Sequence, residues 1–234
     1  MNDPLEAIAF YAVFVFSATV HEAAHAWAAL KGGDPTAYHG GQVSLDPLPH
    51  MKREPFGMVI LPILTVLMNG FPIGYASAPY DPAWAARHPT RAAWMALAGP
   101  GANLALTLLA FAAIRFGLSA GHFVPPDSLG FRHVTAAVGD AGSLAAATAL
   151  LLSIFFSMNL LLFVLNMLPV PPLDGSGALP LVLPERLVES YRTIFQQPIV
   201  AIVGLLLVWN FAGEVFGPCF FFAAKLLYPG VGYR

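Results

Sequence analysis

The sequence predicts an all-α polytopic membrane protein with about four to six membrane segments. Three observations lead there. Of the 234 residues 57% are hydrophobic and only 10% charged, where an ordinary soluble domain carries about 25% charged residues. The mean hydropathy is +0.68. The 11 basic and 13 acidic residues also sit in clumps, with none between Glu54 and Asp81, Arg91 and Arg115, Asp140 and Asp174, or Arg192 and Glu214. A helical span needs about 20 mostly apolar residues, and each of these gaps provides them.

The first apolar segment covers about residues 6–30 and stops at Lys31-Gly32-Gly33-Asp34-Pro35, where a cation, two glycines and a proline end a helix. Met1 to Glu6 lacks the positive flank of a signal peptide, so the segment reads as a retained membrane helix. A polar stretch with Asp46, His50, Lys52, Arg53 and Glu54 follows. Residues 56–77 are apolar but broken by Pro62, Gly70, Pro72 and Gly74. Residues 91–117 and 143–168 are the next two segments, the run Pro169 to Pro184 is proline-rich, and a last apolar stretch covers about 198–228. With no internal repeat and no long linker, a single membrane domain over 1–234 is expected. The net charge of −2 and the lack of a basic cluster give no footprint for nucleic acid. The single cysteine, Cys219, cannot form an intramolecular disulfide.

Inside the first segment lies His21-Glu22-Ala23-Ala24-His25. Residues four apart on a helix share one face about a turn apart, so both imidazoles can hold one metal ion. Glu22 then stands where a carboxylate can act on water at the metal, which is the zinc metalloprotease arrangement. Two histidines and a glutamate inside an apolar helix are costly in lipid, which makes them a functional site by default; a buried His–Glu cluster that only joins helices is the bland alternative.

A catalytic zinc takes three protein ligands and keeps one position open. Most other acids lie in polar stretches or at segment ends, and Glu214 has no supporting motif. Asp174 follows the longest charge-free run, in Leu165-Asn166-Met167-Leu168-Pro169-Val170-Pro171-Pro172-Leu173-Asp174-Gly175. Its prolines unwind the helix, and unwound backbone at membrane depth must be buried or line a cavity. A carboxylate on such a strand suits a metal ligand; a turn aspartate at a helix end is the other reading.

Here the sequence resembles the site-2 protease family of intramembrane zinc metalloproteases. Three blocks match in order: His21 to His25, Gly99-Pro100-Gly101-Ala102-Asn103, and Asn166 to Gly175 ending in Leu-Asp-Gly. The runs Asp46-Pro47-Leu48 to Phe56-Gly57 and Phe71-Pro72-Ile73-Gly74 are similar to the small branch of that family, which lacks peptide-binding and nucleotide-sensing domains. The resemblance implies a three-helix catalytic core within about residues 6–180, with the segment at 198–228 outside it. It implies one Zn²⁺ per chain, held by His21, His25 and Asp174, with Glu22 as general base. Asn166 resembles a family asparagine that contacts substrate backbone or the oxyanion, and Asn103 one with a structural or auxiliary role. Ala24, and Ser176-Gly177-Ala178 after the Leu-Asp-Gly, depart from many relatives without touching the ligand set.

A geometric consequence follows. If His21 and Asp174 bind one ion, the helices before them run parallel, with an odd number of spans between. Segment 91–117 supplies one span, so residues 56–77 should form a re-entrant hairpin. The alternative is that they cross and a longer excursion brings Asp174 back. With the hairpin, Lys31, Lys52, Arg53, Arg87, Arg91, Arg186 and Arg192 share one side, and Arg115, Arg132, Lys225 and Arg234 the other. The excess of basic residues on the first side makes it cytoplasmic.

The expected activity is therefore hydrolysis of peptide bonds within or near transmembrane helices. The expected substrate is a single-span membrane protein, and the setting the lipid bilayer of the cell (inner) membrane with the site toward the cytoplasm. The alternatives are a metal-ion transporter, which would spread ligands over several helices and often shows inverted repeats, or an inactive scaffold, which would have lost a ligand. His50 reads as loop packing, and Trp27, Trp84 and Trp94 as interfacial anchors.

Overall fold

Helix α1, Pro4–Gly32, carries Glu6 in its first turn and Lys31 in its last, so both charges complement the helix dipole. The computed structural model describes residues 4–139, 143–195 and 197–233, without the side chains of Glu185 and Arg192; Asp140 and Arg234, named above, lie outside the described residues. Two short helices follow α1. They are α2, Thr36–His39, and α3, Pro47–Arg53, whose first turn is capped by Asp46 accepting from the Leu48 amide. Asp34 ties this region down by accepting from the Thr36 amide and hydroxyl and from the Asp81 amide. Burial pushes its carboxyl up, but those donors outweigh burial and hold it below the usual carboxylate range.

After a π-turn at Phe56–Ile60, α4 runs Leu61–Asn69 and ends at Gly70, whose φ of +74° suits glycine. The chain then returns without regular structure. Ile73 N donates to Thr65 Oγ1 (2.8 Å), Tyr75 N to the Gly57 carbonyl (3.1 Å), and Gln42 Nε2 to the Ser77 carbonyl (3.4 Å). A β-carbon on Gly74 would lie 2.4 Å from the Gly57 oxygen, so the two limbs touch because glycine permits it. The outgoing limb Phe56–Asn69 is too short for a span, since about 14 helical residues cover about 21 Å against a hydrocarbon core of about 30 Å. Residues 56–77 therefore have the shape of the expected hairpin. Cysteines placed near Gly40 and near Ser77 are expected to be labelled by an impermeant reagent from the same side of the membrane; labelling from opposite sides would mean that 56–77 crosses.

Helices α5, Pro82–Arg87, and α6, Pro89–Ser119, both open with proline in the first turn, where its missing N–H costs nothing. A small antiparallel pair, β1 (Phe123–Val124) with β2 (Ala136–Ala137), decorates the next loop. Helix α7, Leu144–Asn166, is capped by Ser143 accepting from the Ala146 amide. After a proline-rich turn come α8, Asp174–Ala178, a 3₁₀ turn at Leu179–Leu181, the amphipathic α9, Glu185–Phe195, and α10, Pro198–Leu227. Among the described residues α1, α6, α7 and α10 are long and apolar enough to cross a membrane, so the chain is an all-α, multi-pass membrane protein.

Side-chain contacts fix the directions of the core helices. Ascending α1, Glu6 meets Arg132 in the loop beyond α6 (2.6 Å), His21 meets Asn103, His25 the Met95 carbonyl, and Gly32 receives Arg91. Partner numbers fall as α1 rises, so α6 is antiparallel to α1. On α7 they rise: Phe10, Val13 and Phe14 pack with Ile154 and Met158 low down, and Asp174 lies beyond the top beside His21. Helices α1 and α7 are parallel, with α6 as the one long helix between them among the described residues.

Two expectations need correction. Trp84 is no exposed anchor: it is 4% exposed, its indole N–H donates to the Gly32 carbonyl, and it closes the end of α1, whereas Trp27 and Trp94 are exposed as expected. Asp174 stands on no strand: it opens the one-turn helix α8, since the prolines bend the chain only until Leu173. His50 packs as expected, buried with Nε2 donating to the Ser44 carbonyl.

Candidate metal centre

Two elements deliver the donor atoms. Helix α1 presents His21 and His25 one turn apart, and α8 brings Asp174 against them because the turn after α7 reverses the chain. His21 Nε2 lies 2.9 Å from Asp174 Oδ2, His25 Nε2 3.3 Å from the same oxygen, and the two Nε2 atoms 3.0 Å apart. Both imidazoles are buried, and the carboxylate is partly so. His21 is 11 residues from the end of α1, about 16 Å at 1.5 Å per residue, so the cluster lies well inside an apolar helix rather than at its end.

The far nitrogens decide what those atoms are. His25 Nδ1 lies 2.7 Å from the Met95 carbonyl oxygen, which can only accept, so Nδ1 carries the proton. His21 Nδ1 lies 2.5 Å from Asn103 Oδ1, again an acceptor. In its neutral form each imidazole then turns an Nε2 lone pair toward the other and toward an anionic oxygen. Three electron-pair donors at such distances repel unless a proton or a metal cation sits among them. The donor atoms of His21, His25 and Asp174 all lie within 4.8 Å of one another. Two imidazoles, each hydrogen-bonded through its second nitrogen, and one carboxylate form a ligand set that fits zinc with a fourth position open.

Space for the cluster comes from α6. A β-carbon on Gly99 would lie 2.3 Å from His25 Nε2 and 2.5 Å from His21 Nε2, so the helix can pass this close only with glycine there. The Gly-Pro-Gly-Ala-Asn block thus places two features on the centre, the bare backbone at 99 and the Asn103 amide four residues on. Sequence reasoning singled out Asn103 but gave Gly99 no role, although a glycine in a resembling motif was the available signal.

Glu22 is 6% exposed, and its carboxylate makes no hydrogen bond among the described residues. It faces, together with His25 and Asp174, a cavity of about 1000 Å³. The returning limb 76–78, the start of α6 and the α9 residues Glu189 and Tyr191 form its walls. The Tyr191 hydroxyl donates to the Ser176 carbonyl and holds α9 against α8. Nothing in the sequence analysis pointed to α9. Asn166 is the last residue of α7; its amide donates to the Leu162 carbonyl of its own helix at 3.0 Å, and it makes no hydrogen bond to His21, His25 or Asp174.

Comparison with known proteins agrees with this geometry. A sequence model of Peptidase family M50 matches residues 9–210. Relatives that carry the name "Putative zinc metalloprotease" include a YwhC and a Rip2 protein. YwhC of Bacillus subtilis (strain 168) is 33% identical over 69% of this chain and 63% of its own length. Rip2 of Mycobacterium tuberculosis (strain ATCC 25618 / H37Rv) is 29% identical over 89% of this chain and 71% of its own. The chain thus spans a little under two thirds of the Bacillus protein. No solved structure matches it. A family match over most of the chain, covering the paired histidines, the Gly-Pro block and the Leu-Asp-Gly turn, is decisive: the chain belongs to Peptidase family M50, the site-2 protease family.

Proposed function

We propose that this protein is an intramembrane zinc metalloendopeptidase that cuts single-span membrane proteins within or near their transmembrane helix, in regulated intramembrane proteolysis. The observation that carries the reading is the convergence of His21 Nε2, His25 Nε2 and Asp174 Oδ2 on a cavity that an uncommitted Glu22 also faces. Zinc held by these three ligands would supply a Lewis acid for the scissile carbonyl and bring the pKa of water toward about 7. The Glu22 carboxylate takes the proton of the attacking water and passes it to the leaving amide nitrogen. Buried His21 and His25, each tied through Nδ1, keep the ligand geometry rigid.

A substrate helix hides its carbonyls in its own hydrogen bonds and must unwind before attack. The returning limb offers it a place: residues 76–80 run beside the cavity, and among the described residues no backbone N–H of this stretch has a hydrogen-bond partner. An unwound segment can add to such an edge as a strand. Lys31, Lys52, Arg53, Arg87, Arg91 and Arg186 fall on the side nearer the centre, whereas Arg132 pairs with Glu6 and Arg115 donates to the Leu227 carbonyl at the far end. The positive-inside rule then puts the site toward the cytoplasm of the cell membrane.

The test is cleavage of a panel of single-span proteins by the full chain in detergent. Products cut in or near the span are expected, lost on treatment with 1,10-phenanthroline and restored by added Zn²⁺. Cleavage that survives complete metal removal would contradict the proposal.

A further inference from the structure

Behind His21 lies a chain of buried amides that runs from Asn103 to Asn159, a residue outside all three motif blocks. Asn103, which faces His21 Nδ1 through Oδ1, donates from Nδ2 to Asn159 Oδ1 at 2.9 Å and lies 3.4 Å from the Ser17 carbonyl. Asn159 on α7 donates in turn from its own Nδ2 to the Phe155 carbonyl at 2.9 Å. Asn103 and Asn159 are both 0% exposed. The directions are forced. The Phe155 carbonyl only accepts, so Asn159 must aim its NH₂ there and its oxygen at Asn103. Asn103 must then aim its NH₂ at Asn159 and Ser17 and its oxygen at His21. Flipping either amide would set two acceptors against each other in a dry interior, which costs far more than it could recover.

We infer that Asn159 is a positioning residue for the metal centre: through Asn103 it locks His21 in the tautomer that turns an Nε2 lone pair toward Asp174 and His25. The inference rests on the metal-site reading above and extends it to a residue 15 positions before Asp174 that touches no ligand. The relay crosses all three core helices, from an α7 carbonyl to an α7 amide, an α6 amide and the α1 imidazole. It couples correct helix packing to a competent ligand. His25 needs no such relay, because the Met95 carbonyl sets its tautomer directly.

Two replacements of nearly equal volume separate positioning from packing. Asn159→Asp in its neutral form keeps both links, with O–H donating to Phe155 and C=O accepting from Asn103. Asn159→Leu keeps the volume and removes both. Partners of metal ligands typically change affinity 10–100-fold. Chelator competition on the purified full chain, with Zn²⁺ and with Co²⁺ read by its visible spectrum, is therefore expected to show Asn159→Leu binding about tenfold more weakly than the wild type with an altered Co²⁺ spectrum, and Asn159→Asp close to the wild type. A packing role predicts the reverse order, because leucine suits an apolar interior and aspartate does not; leucine equal to or tighter than aspartate would overturn the inference. Asp174→Ala run alongside keeps the two readings apart. If it binds metal like the wild type, the metal site itself is wrong; if it loses metal while Asn159→Leu does not, only the relay is wrong.

Discussion

An alanine at position 99 is expected to strip the centre of metal, while an alanine at position 101, two residues along the same helix, leaves it loaded. The Gly99 β-carbon would sit 2.3 and 2.5 Å from the two ligating Nε2 atoms, whereas at Gly101 it meets nothing within 4 Å. The imidazoles cannot swing aside cheaply, because Asn103 and the Met95 carbonyl hold their Nδ1 atoms. Helix propensity works the other way: alanine favours a helix interior over glycine by about 1 kcal/mol, so both variants gain intrinsic helix stability. Loss of zinc in one alone therefore reports the close approach. Zinc per chain after dialysis against a graded chelator should fall at least about 100-fold in affinity for Gly99→Ala, the upper end for disturbed ligand surroundings, and stay unchanged for Gly101→Ala. Full zinc in Gly99→Ala would contradict the arrangement of α6 against α1.

The second large effect concerns Glu22. Glu22→Gln keeps shape and volume but removes the proton acceptor. General base catalysis contributes about 10²–10⁴-fold, so cleavage should fall about 10³-fold, or about 4 kcal/mol of transition-state stabilisation. Zinc content should not change, since Glu22 is outside the group formed by His21, His25 and Asp174. Single-turnover cleavage with zinc quantified in the same sample checks both halves. A variant that loses zinc would make Glu22 a ligand, and one that cleaves at the wild-type rate would remove it from proton transfer.

The cluster of His21, His25 and Asp174 was legible in the sequence because each member breaks a local rule. Charged and imidazole groups in an apolar helix, and prolines followed by an aspartate after an apolar run, are expensive without a function. The hairpin at 56–77 followed from parity once His21 and Asp174 shared an ion, and its four breakers fit that shape. What stayed hidden depends on packing rather than pattern. Asn159 sits in a regular helix where an asparagine has no periodic signature, and only the crossing of α6 and α7 puts it on Asn103. Trp84 read as an interfacial anchor because a tryptophan near a segment end looks alike whether it faces lipid or caps a neighbouring helix. Helix α9 is strongly amphipathic, but its place on the wall of the cavity comes from the turn that α8 makes.

The central claim is that two helical histidines and an aspartate from beyond α7 together hold one zinc. X-ray absorption at the zinc edge, with metal quantified per chain, tests it most directly on the wild type and Asp174→Ala. One zinc per wild-type chain with two imidazoles and a carboxylate in its shell, and almost none retained by Asp174→Ala, is the expected result. An unchanged zinc content and shell in Asp174→Ala would contradict it.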